Sequence, residues 1–319
     1  MASLPRVVAT SVIRSAHEGE SHGGVYMMDL SNGACDQVVR WDFGAINWEG
    51  RGSERGLRGI AFTDDLVIVA ASDEVILYDK RFNVLDSYTN AYLKHCHEII
   101  RAGDLVWLTS TGFDCVLGMD LHTGRFVHGY QLKRTYPNRL TRRLERFPTY
   151  SVRRFDPEGP DGPRMNDRLH LNNVWVDGEA LFVCGTELRH LVGIRGESTE
   201  IYAHVPKGTH NARPFGSGVI ANHTERNRIA FMTRKGRPKR TFQIRTYDER
   251  ALVNASLPSD HARQAFGRGL CVWDHRLVIG GSSPATISVF DFVTAERVAS
   301  FNITMDVRNA IHGLEVWPF

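Results

Sequence analysis

Long apolar runs are missing from this sequence. No stretch of about 18 residues is apolar enough to cross a membrane. The segment from Met1 to Ile13 carries one arginine, without the apolar core and small-residue cleavage site of a secretory signal. We therefore expect a protein with no membrane span and no membrane partner, and the cytoplasm as its compartment.

Cysteine is scarce, and neither sign of charge dominates. Five scattered cysteines are an odd number, and most of them lie in apolar strand-like patterns, so we expect free, reduced thiols. The formal net charge of +3 is too small to indicate a nucleic acid as partner. With 42% hydrophobic residues, the chain has ample material for a large core, which argues against disorder.

One short phrase recurs along the chain. It consists of a His or Arg, a small or polar residue, and an apolar stretch that soon reaches an Asp or Gly turn. Its six copies begin at Arg58, His97, His170, His210, Arg268 and His312. Where no insertion intervenes, neighbouring copies start about 40 residues apart, and strand-rich repeats of this length are typical of the four-stranded blades of a β-propeller.

The two ends of the sequence predict how the ring closes. Three strand-like runs, Val7–Ile13, Gly24–Leu30 and Gln37–Phe43, open the chain without a copy of the phrase, and residues 311–317 form a copy with nothing after it. Pairing this last strand with the first three completes a blade and removes a sheet edge. The sequence therefore predicts an all-β fold, a single six-bladed β-propeller over residues 1–319 that is closed by its carboxy-terminal strand.

The remaining blades follow in order, with one large insertion. In the second blade the strands are predicted at Arg58–Thr63, Leu66–Ala71, Glu74–Asp79 and Val84–Tyr88. The later blades are predicted to start at Glu98, His170, His210 and Arg268. Residues 133–168, between the third and fourth blades, hold ten Lys or Arg residues against five acids. This insertion is predicted to be a solvated basic loop or, alternatively, a lid over the mouth of the channel.

Propeller geometry turns the phrase into a candidate site. The innermost strand of each blade lines the central channel, and all six inner strands start at the same face, so their leading residues are expected to converge. Arg189, in a loop at that face, and Arg213, which follows His210, are further candidates. A structural alternative is an ion-pair ring in which Arg58 and Arg268 pair with Glu98 or Glu315. Because burying imidazoles costs free energy, a functional cluster is favoured.

Some copies of the phrase resemble known families. Leu169–Val174, Thr209–Pro214 and Arg268–Leu270 resemble the motifs of an uncharacterised bacterial family of six-bladed propellers, a domain of unknown function, from about residue 55 to the end of the chain. This resemblance implies the fold and no activity.

A second resemblance implies an activity. His97–Ile99, His170–Asn172 followed by Arg189, and His210–Arg213 are similar to the active-site phrases of arylsulfotransferases, six-bladed propellers that transfer a sulfo group through a catalytic His. The set of axial histidines also resembles that of carotenoid-cleaving oxygenases, in which four His hold iron.

Three functions are compatible with such a cluster. In the first, His97, His170, His210 and His312 hold a divalent transition metal, iron or copper above all, because imidazole suits these metals whereas calcium prefers oxygen. The arginines then grip a small anionic substrate, as in a metal-dependent oxidoreductase or lyase. In the second, no metal binds: one His acts as nucleophile or base for a sulfo or other acid group, and the catalytic arginines Arg58, Arg189, Arg213 and Arg268 stabilise the anion. The third, a non-catalytic protein-binding propeller, ranks last because the WD and kelch signatures are missing.

Overall fold

The computed structural model describes residues 4–42, 56–259 and 262–319. Within these ranges the chain forms 25 β-strands, numbered in chain order, in six antiparallel sheets of four or five strands. The sheets form a ring, and the prediction of a six-bladed β-propeller is confirmed. The predicted end of the third strand, Phe43, lies outside the described residues.

The first three blades contain thirteen of these strands. Blade 1 comprises β1 (Arg6–Ile13), β2 (Gly23–Asp29), β3 (Cys35–Arg40) and the last strand of the chain, β25 (Asn309–Val316). Blade 2 comprises β4 (Ile60–Phe62), β5 (Val67–Ala71), β6 (Glu74–Tyr78) and β7 (Val84–Thr89). Blade 3 comprises β8 (Ile99–Ala102), β9 (Leu105–Ser110), β10 (Cys115–Asp120), β11 (Phe126–Thr135) and β12 (Thr149–Phe155), with helix α1 (Arg139–Arg143) between the last two strands.

The other three blades have four strands each. Blade 4 comprises β13 (Leu171–Asp177), β14 (Ala180–Gly185), β15 (His190–Arg195) and β16 (Ser198–His204). Blade 5 comprises β17 (Thr209–Phe215), β18 (Gly218–His223), β19 (Arg228–Thr233) and β20 (Pro238–Gln243). Blade 6 comprises β21 (Gly269–Trp273), β22 (Leu277–Ser282), β23 (Thr286–Asp291) and β24 (Arg297–Asn302).

Burial follows the position of a strand within its blade. The second strands, such as β5 and β22, are buried along their whole length because neighbouring blades cover both faces of each sheet. Their sequences are accordingly near-continuous apolar runs rather than alternating patterns. The fourth strands, such as β7 and β24, are largely exposed and more polar. The core therefore lies between the blades, around the channel.

An aspartate ends or directly follows the third strand in four of the blades and shapes the next turn. Asp79 Oδ1 accepts hydrogen bonds from the backbone N–H groups of Arg81 and Asn83, at 2.8 and 2.9 Å. Asp29, Asp120 and Asp291 accept equivalent bonds from the turns that follow them. These Asx turns join the third and fourth strands of the four blades in short, regular hairpins.

The ring closes in blade 1. β25 pairs antiparallel with β1, from Val7 opposite Val316 to Ile13 opposite Asn309. The backbone N–H of Gly313 donates to the Thr10 hydroxyl at 2.8 Å, and a Cβ at Gly313 would clash with the carbonyl of Arg58 in blade 2. The last strand therefore joins the amino-terminal strands to the neighbouring blade, as the sequence predicts.

The insertion between blades 3 and 4 is partly sheet. β12 pairs with β11 over seven positions and adds a fifth strand to blade 3, which the sequence did not predict. Helix α1 is capped by Asn138, whose side chain accepts from the Thr141 N–H at 2.9 Å. After β12 the chain folds back, and the Tyr92 hydroxyl donates to the Gly159 carbonyl at 2.9 Å. Much of the insertion is thus anchored to its own blade, and its role as a lid stays a prediction.

Candidate anion site at the channel

The side chains that lead the inner strands meet at one end of the channel. The ring centroid of His97 lies 5.3 Å from that of His170 and 5.3 Å from that of His312. Arg58 Nη1 lies 3.1 Å from His97 Nε2, and Arg268 Nη1 lies 3.0 Å from His312 Nε2. His210 lies near Arg268 and His170, whose charges lower its pKa. We call these six side chains the axial cluster. Its members are Arg58, His97, His170, His210, Arg268 and His312.

A threonine at the end of the second strand orients two of the imidazoles. His210 Nδ1 lies 2.9 Å from the Thr224 hydroxyl oxygen, and that hydroxyl donates its proton to the Gly267 carbonyl at 3.1 Å. Since the threonine has one proton to give, Nδ1 of His210 must be the donor and Nε2 carries the lone pair. His97 repeats the arrangement with Thr111, also 14 residues further along the chain.

The lone pairs and N–H groups of the cluster have different partners. His97 Nε2 and His312 Nε2 accept hydrogen bonds from Arg58 and Arg268. Because Nε2 of His312 is an acceptor, its proton lies on Nδ1, which is buried with no hydrogen-bond partner. His210 Nε2 is likewise buried without a partner. His312 therefore has an unpaired N–H donor and His210 an unpaired lone pair, and buried groups of this kind usually have a ligand or water as partner.

The buried imidazoles of the cluster are neutral near pH 7. Burial lowers the pKa of His97, His210 and His312 well below 6.5. The charge of Arg268 also lowers it in all three, and that of Arg58 does so in His97 and His312. Neutral imidazole is the form that can act as nucleophile, base or ligand. The fourth histidine, His170, is partly exposed, and its Nδ1 lies 3.0 Å from Asp167 Oδ2.

Further arginines surround a phenylalanine beside the cluster. The guanidinium carbons of Arg268, Arg263 and Arg14 lie 4.6, 5.0 and 5.3 Å from the ring centroid of Phe266. The charge of Arg14 also lowers the pKa values of His210 and His312. The sequence did not predict Arg14, Arg263 or Phe266 as part of this site. Arg14 directly follows β1, and Arg263 and Phe266 shortly precede Arg268. These positions in the sequence could have placed all three at this face of the propeller.

Two expected arginines lie elsewhere. Arg189 Nε is 3.3 Å from Glu145 Oε2 of the insertion, and its side chain is 54% exposed. Arg213 Nη2 donates to the Leu270 carbonyl at 2.8 Å, and its guanidinium lies 4.6 Å from the Trp175 ring centroid. Arg213 follows His210 by three residues of strand, a rise of about 10 Å, so it lies further along the channel. Neither arginine belongs to the axial cluster.

The predicted metal ligands have other contacts in this arrangement. In the described part of the chain, no group of three or more His, Cys, Asp or Glu side chains is placed to hold a metal ion. Nε2 of His97 and of His312 accept from guanidinium groups, and a cationic donor at a ligand nitrogen opposes metal binding. The structure brings the four histidines close together, and a metal held by them stays a prediction.

Comparisons with known proteins indicate the fold alone. No family model matches the chain and no curated protein is similar to it, so neither family resemblance is shown. A chain of the nidogen/laminin complex is similar in structure at 10% identity, with 97% of both chains covered and a TM-score of 0.55. The designed protein Ika8 has 9% identity, covering 97% of this chain and 91% of its own, with a TM-score of 0.49. The WD40 propeller domain of Doa1 has 12% identity, 79% and 70% coverage, and a TM-score of 0.47.

Across residues 4–42, 56–259 and 262–319, no helix has the length and apolar character that spanning a bilayer requires.

Proposed function

We propose that the protein is an enzyme that transfers an acid group, sulfo or phospho, from a small ester, with His210 as the nucleophile. The observation that supports this most strongly is the buried Nε2 of His210, which lacks a partner while Nδ1 is held by Thr224. A fixed tautomer with a free lone pair is what a nucleophilic imidazole requires. Arg268 and His312, next to His210 in the cluster, supply a guanidinium and an unpaired N–H for the oxygens of the group.

The transfer proceeds in two balanced steps. The Nε2 lone pair of His210 attacks sulfur or phosphorus, the bond to the ester oxygen breaks, and the departing oxygen takes a proton from water. In the second step an acceptor hydroxyl attacks the group on Nε2, loses its proton to solvent, and leaves His210 neutral again. Charge builds on the non-bridging oxygens in both steps, where the guanidinium groups of Arg58 and Arg268 and the Nδ1–H of His312 stabilise it.

A metal-dependent oxidoreductase or lyase is the second candidate. The observation in its favour is the closeness of the four imidazoles, of which three are buried and neutral. In that case His210 Nε2 is the ligand atom that is free for a metal. This candidate requires His97 and His312 to give up their hydrogen bonds from Arg58 and Arg268, which makes it the weaker of the two.

Chelation separates the two candidates. The purified protein is assayed with p-nitrophenyl sulfate and p-nitrophenyl phosphate, with phenol as acceptor, before and after dialysis against EDTA, and its metal content is measured by mass spectrometry. We expect p-nitrophenol to be released at the same rate after chelation. After rapid quenching, the peptide that contains His210 should carry the transferred group. Activity that is lost with EDTA and restored by iron or copper would support the metal candidate. If the protein turned over neither ester, the transferase proposal would be contradicted.

A further inference from the structure

A second cavity lies further along the channel, beyond the axial cluster. It has a volume of about 260 Å³ and is lined by the inner strands. Among the described residues, the polar side chains of its interior lie just before β8, on β13, on β17 and on β25. They are Glu98, Asn173, Asn211, Arg213 and Glu315. Its apolar lining includes Ile60, Val174 and Leu270. None of these side chains takes part in the transfer proposed above.

Among the described residues, two carboxyl groups and one guanidinium group, that of Arg213, lie in the interior of this cavity. Glu98 Oε2 accepts a hydrogen bond from Asn211 Nδ2, which is neutral. Arg213 already donates to the Leu270 carbonyl and packs over the Trp175 ring. Two carboxyl groups therefore share one buried guanidinium when the cavity is empty.

Two other titratable groups face the same region. Arg101 also lines the cavity, but it is exposed, and its Nε donates to the Gly103 carbonyl at 2.9 Å. Cys271 lies close enough to Glu315 to interact with its charge, and burial raises the pKa of its thiol, so it stays neutral. The carboxyl pair and Arg213 thus set the charge in the interior of the cavity.

The raised pKa values of Glu98 and Glu315 are consistent with too little positive charge in the cavity to balance both carboxylates. Burial and the charge of the nearby Glu315 together raise the pKa of Glu98 to about 8, against the lowering effects of Asn211 and Arg213. Burial raises the pKa of Glu315 to about 7, against the lowering effect of Arg213. Near neutral pH the empty cavity therefore retains protons that a bound cation would displace.

We propose that this cavity binds a small organic cation, a primary ammonium group on a short apolar body. The ammonium group donates to the carboxylates of Glu98 and Glu315, and the apolar body packs against Ile60, Val174 and Leu270. The positive charge of the ligand and that of Arg213 together balance the two carboxylates. The volume is just below the range of about 300 to 1,000 Å³ that is usual for drug-sized ligands, so the ligand is small.

Calorimetry with n-butylammonium chloride tests this site, with n-butanol as the neutral isostere. We expect saturable binding of butylammonium and none of butanol. Glu98→Gln and Glu315→Gln are each expected to weaken binding about tenfold or more, because each removes a charge-assisted hydrogen bond. The Gln side chain keeps the shape of Glu, and Glu187→Gln, which changes a surface residue paired with Lys207, serves as the matched control.

The pH dependence gives a second readout that does not need the variants. Cation binding favours the ionised carboxylates, so affinity should rise as the pH passes the pKa values of about 7 for Glu315 and about 8 for Glu98. At pH 7, titrations in buffers of different ionisation enthalpy should show that protons are released on binding. Equal binding of butanol, no binding of butylammonium, or affinity that falls between pH 6 and pH 8 would overturn the proposal. His210→Ala should leave this binding unchanged, so that failure here is distinct from failure of the transferase.

Discussion

Replacing His210 by alanine is expected to lower the turnover of p-nitrophenyl sulfate and p-nitrophenyl phosphate by about 10³-fold or more, because it removes the attacking lone pair. Added imidazole should restore part of the activity in this variant, since a free imidazole can occupy the space of the lost ring. Thr224→Val should cause a smaller loss, because the ring stays in place while its tautomer is no longer fixed by the hydroxyl. Steady-state rates with and without imidazole measure all three effects.

His122→Ala is the matched control for this experiment. The His122 side chain is 75% exposed and lies beside Asp104 at the surface. Its removal should change neither the rate nor the melting temperature. If His210→Ala kept wild-type turnover, or if imidazole rescued nothing while the variant was correctly folded, His210 would not be the nucleophile.

Removal of β25 is expected to unfold the whole propeller. A chain that ends at residue 308 lacks the buried side chains of Ile311 and Leu314 and exposes the edge of β1. Losing two such side chains costs about 2 to 5 kcal/mol each, which approaches the total stability of about 5 to 15 kcal/mol of a typical domain. Thermal unfolding followed by circular dichroism should show no cooperative transition for the truncated chain.

A shorter truncation provides the comparison. A chain that ends at Trp317 loses Pro318 and the partly exposed Phe319 but keeps the pairing of β25 with β1. It should unfold cooperatively, close to the temperature of the full chain. A synthetic peptide of residues 309–319 should restore a transition to the chain that ends at residue 308. A cooperative transition at the wild-type temperature without β25 would show that ring closure contributes little.

The architecture was predictable because the same pattern is repeated along the chain. Each copy of the phrase marks the start of an inner strand, and the buried second strands have apolar sequences, so blade number and ring closure follow from spacing alone. The closeness of His97, His170 and His312 was predictable for the same reason, since equivalent positions of a propeller face one axis. β12 was missed because Thr149–Phe155 is an exposed edge strand without a continuous apolar run.

The charge pattern of the channel was less predictable, because it depends on which side chains meet. The sequence allowed an ion-pair ring of Arg58 and Arg268 with Glu98 or Glu315. In the structure these arginines donate to His97 and His312. Glu98 and Glu315 line the second cavity, where burial raises the pKa of both carboxyl groups against the lowering effect of the Arg213 charge. The sequence repeat predicts neither the separation of the axial cluster from the second cavity nor the grouping of arginines around Phe266.

Titration with sodium sulfate tests the central claim most directly, because it asks whether the axial cluster binds a tetrahedral anion. Calorimetry at constant ionic strength should show saturable binding of one sulfate per chain, and R58Q and R268Q should each weaken it about tenfold or more. Since the pKa values of His97, His210 and His312 lie well below 6.5, affinity should be nearly constant from pH 7 to pH 8.5 and increase only in more acidic solution. Arg195→Gln, at the surface beside Glu200, should bind sulfate like the wild type. Saturable binding that R58Q and R268Q weaken is the predicted result; no binding, or binding that neither substitution changes, would contradict an anion site at the axial cluster.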